Sequence, residues 1–122
     1  VTDAQLKRDM KKIKTKVKQY QQIFGLENWT IELTEDPNLN ASARTFADPR
    51  YYKASITYKP GKFTDETIVH ELIHIVMALY DFYADNLGRE GSDELFFVAR
   101  ENAVSQLTHI MMRILKNEKS NT

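Results

Sequence analysis

Cysteine is absent from all 122 residues of the chain. Disulfide staples and cysteine metal ligands are thereby excluded, and such a composition suits a reducing compartment. Long apolar runs are missing too, so no segment reads as a membrane span. Neither sign of charge prevails: 17 Lys and Arg stand against 17 Asp and Glu, so no global field draws the chain to nucleic acid. There is no internal repeat and no long low-complexity tract. The opening residues Val1-Thr2-Asp3-Ala4 carry neither the apolar core nor the small-residue cleavage site of a secretory signal. These absences lead to the expectation of a cytoplasmic protein that does not engage membranes. Histidine is scarce as well, with three in the chain, which gives weight to where those three stand.

What is present fits one folded domain. Hydrophobic residues make up 42% of the chain, enough at this length for one core and not for two, so residues 1–122 read as a single domain. The first segment, from Thr2 or Asp3 to Phe24, reads as a helix. Leu6, Met10, Ile13, Val17, Tyr20 and Phe24 recur at steps of three and four, Thr2 or Asp3 can cap the start, and Gly25 can end it. Its other faces are strongly basic: Lys7, Arg8, Lys11, Lys12, Lys14, Lys16 and Lys18 stand against Asp9 alone. The plain reading is a solvated helix face. A surface for nucleic acid or an acidic partner is the alternative, and no aromatic side chains interleave with the lysines as base recognition would favour.

Three strand signals follow. Trp29 to Thr34 alternates apolar and polar residues, Ala41 to Ala47 does so more weakly through Ala43, Thr45 and Ala47, and Tyr52 to Tyr58 does so strongly. Asp36-Pro37-Asn38, Asp48-Pro49-Arg50 and Pro60-Gly61 supply turns. Short turns favour an antiparallel meander. A second helix is expected from Thr64 or Asp65 to about Asn86, with Gly88 as its left-handed cap and Gly88 to Gly91 as a loop. Ser92 can cap a last helix running to about Lys116, with 117–122 a frayed tail. The expected fold is α+β: an N-terminal helix, a small, mainly antiparallel three-stranded sheet, a central helix and a C-terminal helix.

The central helix carries His70-Glu71-Leu72-Ile73-His74. Histidines four apart on a helix project from one face, one turn above the other, where one zinc ion can take both imidazoles. Glu71 lies beside them as a proton acceptor for an attacking water. Shuffling this composition would produce the pattern roughly once in a few hundred trials, so chance is a poor account of it. Around it, Thr67 to Val76 carries no charge except Glu71. The bland reading, a buried helix whose histidines happen to lie on its polar side, leaves Glu71 buried without a partner at a cost of several kcal/mol.

Two histidines need a third protein ligand, with the fourth position left for water. The candidates downstream are Asp81, Asp85, Glu90, Asp93, Glu94, Glu101 and His109. Glu101 stands in mid-helix between Phe97, Val98 and Val104, on a side that continues through Leu107, Met111 and Ile114. A carboxylate there is costly unless something pairs with it, a metal or a lysine of the first helix. Glu94 is the alternative third ligand, although a place in the first helical turn explains it without a metal.

The pentapeptide with a downstream glutamate on a second helix resembles the gluzincin branch of zinc metallopeptidases. The small size resembles minimal single-domain members and small metallopeptidase-like proteins of phages and prophages, in which a Glu is often followed three residues on by an apolar residue, as in Glu101-Asn102-Ala103-Val104. The likeness spans about residues 29–115. It implies a zincin-like fold with His70, His74 and Glu101 as zinc ligands, Glu71 as general base, and a sheet edge that pairs with an extended peptide or protein substrate. The strand ending at Tyr58 is the expected edge. The chain departs from larger gluzincins in two ways. Their gap to the third ligand is shorter, which suits Glu94, and they often brace a histidine with an Asp four residues after the ligand Glu, where Ser105 stands here. Metzincins fit less well, since no third histidine follows soon after His74.

The expected function is that of a zinc-dependent metallopeptidase, an endopeptidase in which Glu71 passes the water proton to the leaving amine. Tyr51, Tyr52, Tyr80, Tyr83 and His109 are candidate donors to the oxyanion. The alternatives are a metal-containing phage or regulatory binding protein without proteolysis, and a nucleic-acid module docking through the lysine-rich helix.

Overall fold

The computed structural model describes residues 2–78 and 93–120. The chain folds as α1 (Asp3–Ile23), β1 (Thr30–Glu35), β2 (Ala43–Asp48), β3 (Lys53–Tyr58), α2 (Asp65–Val76) and α3 (Asp93–Ser120). Among the described residues this is an α+β arrangement of three helices and a small three-stranded sheet, the expected fold class. None of the described helices is long and apolar enough to cross a membrane.

Capping chemistry sets the helix ends. The Thr2 side chain accepts a hydrogen bond from the Gln5 amide at the start of α1. At its end the Leu26 amide donates to the Gln21 carbonyl (2.8 Å) and the Gly25 amide to the Gln22 carbonyl (3.2 Å), a Schellman arrangement with Gly25 at φ 70°. Leu26, just beyond, is buried. Thr64 caps α2 by accepting from the Thr67 amide (3.3 Å), with Asp65 and Glu66 in the first turn. The Lys16 ammonium (2.7 Å) and the Tyr20 hydroxyl (3.1 Å) both donate to the Asp65 carboxylate, tying α1 to the start of α2.

The sheet order is β1-β3-β2, so the meander does not form. β2 and β3 are antiparallel neighbours, from Ala43 opposite Tyr58 to Asp48 opposite Lys53, whereas β1 runs parallel to β3, from Thr30 beside Lys53 to Glu35 beside Tyr58. Burial explains the order. Ala54, Ile56 and Tyr58 of β3 are all buried, while the inward residues of β1 and β2 are half-buried. The strand with most apolar surface to hide takes the middle. The expected edge strand is therefore the central one, and its backbone is paired on both sides.

The core has two parts. Val17, Ile56, Tyr58, Ile68, Leu72 and Ile75 join α1, the sheet and α2. Val69 and Ile73 of α2 meet Val104 of α3, with Met111, Met112 and Leu115 against them. α2 is thus enclosed on several faces, which is why its sequence is apolar nearly all round.

Two expectations about the later helices need correction. α2 closes at Val76, with Met77 as its cap, well before Asn86. The expected Gly88 cap, the loop to Gly91 and the Ser92 cap lie outside the described residues. α3 continues as helix to Ser120 rather than fraying from 117. Its inward face runs through Glu101, Val104, Thr108, Met111 and Leu115, while Val98, Leu107 and Ile114 stand half-exposed. The buried Thr108 is accommodated because its hydroxyl donates to the Val104 carbonyl at 2.7 Å.

Candidate metal centre

One turn of α2 carries His70 and His74 on the side that faces α3. Their ring centroids are 5.0 Å apart. α3 brings Glu101 to the same place: Oε1 lies 3.3 Å from His74 Nε2, and Oε2 lies 3.8 Å from His70 Nε2. One ligand atom from each of the three residues falls within 4.8 Å of the others, the one such group of His, Cys, Asp or Glu among the described residues. Two neutral nitrogens and a carboxylate oxygen are a donor set for a divalent transition metal. The His74–Glu101 pair also has the spacing of two ligands on one ion. Ligand atoms about 2.1 Å from a tetrahedral ion are separated by about 3.4 Å, close to the His74–Glu101 distance. These residues could hold such an ion.

Glu71 comes off α2 on the adjoining side, toward β2. Its side chain is 6% exposed, against 37% for Glu101. It is not left without a partner: Oε1 accepts a hydrogen bond of 2.7 Å from the Thr45 hydroxyl. The second oxygen, Oε2, lies 3.9 Å from His70 Nε2, on the histidine side. One carboxylate oxygen is therefore fixed by β2, and the other faces the space beside the histidines. A cleft of about 280 Å³ opens beside His70 and Glu71, with Ser42, Thr67, Ser105 and His109 also in its walls; His74 and Glu101 do not line it.

Thr45 is a residue that reading the sequence missed. The available signal was its parity. Ala43, Thr45 and Ala47 are the inward positions of β2, small enough for α2 to approach closely. A lone hydroxyl on that inward row needs a partner, and Glu71 on the next element is one.

The other sequence candidates divide clearly. His109 does not join the group; its Nδ1 lies 3.6 Å from Glu66 Oε1 on the exposed rim of the cleft. Asp93 and Glu94 stand in the first turn of α3, with side chains outside the described residues, as are Asp81, Asp85, Glu90, Tyr80 and Tyr83 altogether. Tyr51 and Tyr52 are at the β2–β3 turn, beyond Asp48 and so at the other end of β2 from Ala43 and the cleft. There Tyr52 meets Trp29 edge-on, and Arg50 lies over the Tyr51 ring. Ser105, the position of the expected brace, lines the cleft.

No protein-family model, curated protein or solved structure matches the chain.

Proposed function

We propose that the chain is a zinc-dependent metallopeptidase of gluzincin type that hydrolyses peptide bonds. The observation that carries this reading is the convergence of His70, His74 and Glu101 from two helices, with Glu71 beside them. Two histidines and a carboxylate are a donor set that catalytic zinc takes, and zinc bound there would polarise a carbonyl and acidify a water. Absence of cysteine suits a cytoplasmic site of action.

The chain's own residues then have definite tasks. His70 and His74 would hold the ion through ring nitrogens and Glu101 through its carboxylate. Thr45 holds Glu71 Oε1, which leaves Oε2 to take the proton of the attacking water. As the water oxygen bonds to the carbonyl carbon, Glu71 holds that proton. It then delivers it to the amine nitrogen as the carbon–nitrogen bond breaks. The sheet edge nearest this site is β2, in place of β3, since Thr45 reaches the site from it. An extended substrate would pair along that edge.

The test is metal content and cleavage measured on the same preparations. One zinc per chain is expected in wild type and in Glu71→Gln, with loss in His74→Ala and Glu101→Ala. Cleavage of an unfolded protein substrate should fall by about 10²–10⁴ in Glu71→Gln. Zinc retained in Glu101→Ala would exclude Glu101 as a ligand and reinstate Glu94. Full zinc occupancy with no turnover of any peptide would favour the metal-containing binding protein.

A further inference from the structure

The basic face of α1 takes no part in the site above. Lys7, Lys11, Lys14 and Lys18 follow one another at steps of four, three and four, and so form a single exposed row along the helix. Lys16 lies off this row and is engaged with Asp65. The row borders a groove between α1 and β1. One part, about 570 Å³, has Val17, Trp29, Ile31 and Leu33 in its walls together with Lys11, Lys14 and Lys18. It continues past Lys11 and Lys14 into a hollow of about 380 Å³ that Lys7 and Met10 also line. β1 is an outer strand of the sheet, so the groove runs beside an unpaired backbone edge among the described residues.

We propose that this groove binds an extended acidic peptide segment, which adds to the sheet along β1 and sets carboxylates against the lysine row. Three features of the groove select this occupant together. The β1 edge offers a row of main-chain donors and acceptors that another strand can take over from water. The floor beneath it is apolar. The upper wall is cationic over about 16 Å, eleven steps of helix from Lys7 to Lys18, which matches the roughly 17 Å that five steps span in a six-residue strand. In an added strand every second side chain would point toward α1, at intervals of about 6.7 Å. The lysines follow at about 4.5–6 Å, close enough for flexible side chains to meet acidic residues placed at alternate positions.

Other occupants satisfy fewer of these features. Nucleic acid would meet the lysines but could not pair with β1; Glu27 and Glu35 in the groove walls oppose phosphates and carboxylates alike, so main-chain pairing is what separates the two occupants. A second copy of this chain joined through β1 would bring two lysine rows together, and like charges at such a contact oppose it. The proposal shares no residue with the histidine site and stands whether or not that site cleaves peptides.

The experiment uses the full chain and a fluorescein-labelled eight-residue peptide with glutamate at alternate positions and valine or threonine between, read by anisotropy at low salt. Saturable binding is expected. It should weaken roughly tenfold in Lys11→Glu/Lys14→Glu, whose exposed positions leave the fold intact by circular dichroism. A peptide of the same sequence with an N-methyl group on every backbone amide keeps its side-chain charge but cannot donate to the edge in either strand direction. Its binding to the unmodified protein should also be about tenfold weaker. Equal binding of the N-methylated peptide would overturn the proposal in favour of charge attraction alone. Tighter binding of an eight-nucleotide oligothymidine would overturn it in favour of a nucleic-acid surface. No peptide binding up to about 1 mM would mean that the lysines only guard the edge.

Discussion

Twenty-six residues separate Thr45 from Glu71, yet their side chains share a hydrogen bond of 2.7 Å. Replacing Thr45 with valine keeps the shape and removes the donor, so a carboxyl group with little access to water loses its partner. Such a loss costs about 1–3 kcal/mol. A denaturant titration should therefore show Thr45→Val destabilised by that amount, and Thr45→Ser much less so. On the proposed reading kcat for peptide cleavage falls about tenfold with KM little changed, because the general base is misaimed, and serine restores it. Loss of stability with kcat unchanged would leave Thr45 a purely structural partner. A second buried hydroxyl yields a pH prediction. Tyr58 is enclosed, and its hydroxyl donates to Glu35 Oε1 (3.2 Å) and lies 3.0 Å from Met10 Sδ. Burial first, then the Glu35 charge and hydrogen bond, push its pKa well above the usual tyrosine value. A raised folded-state pKa means that the stabilisation is complete below about pH 10 and is lost as pH climbs from there toward the folded value. Wild type should lose stability over that range more steeply than Tyr58→Phe, by at most about 1.4 kcal/mol per pH unit. Parallel curves would show that Tyr58 does not carry the effect. Among these residues, His70, Glu71 and His74 were legible because their spacing is geometry within one helix. Thr45 was not, because its role depends on which element packs over β2. Glu101 does stand beside the histidines, although of its expected apolar neighbours Val98 is half-exposed, Val104 is fully buried and the Phe97 side chain lies outside the described residues.

Helix starts were easier to read than sheet order. Thr2, Thr64 and Gly25 act locally, and each sits where its backbone chemistry requires. The parallel pairing of β1 with β3 is a decision about burial across the whole sheet, and turn residues do not record it. The 36–42 connection is long enough to carry the chain past the place that β3 then fills. On α3 the apolar residues are spread too broadly to mark one face, so packing against α2 rather than the pattern selects Val104, Met111 and Leu115. The cap of α2 gives a prediction for the element that carries both histidines. Thr64→Ala removes the acceptor for the Thr67 amide and should cost about 1 kcal/mol, seen as a few degrees in Tm. Because helix order and metal binding are linked, zinc affinity should weaken as the first turn frays. A Tm equal to that of wild type would mean that Asp65 and Glu66 alone secure the first turn.

At the scale of the molecule, α1, the sheet and α2 share one core, whereas the inward side chains of α3 meet α2 and α1 at a separate, smaller one. Glu101 adds a polar contact from α3 to the α2 histidines. A metal held by all three would staple α3 to the rest of the fold, and its binding energy would become folding energy. On the proposed reading, free zinc at a hundredfold over its dissociation constant would stabilise the folded state by about 2.7 kcal/mol. Removing it with a chelator should therefore lower Tm by several degrees. The loss should also be uneven. Amide exchange should quicken most in α3 around Glu101 and in α2 around His74, and least in β3, whose neighbours pair it on both sides. The same chelator added to Glu101→Ala should change little, because the staple is already cut. Uniform acceleration across β3 and α3 would instead show that the two cores open as one unit, and an unchanged Tm would show that no ion links these helices.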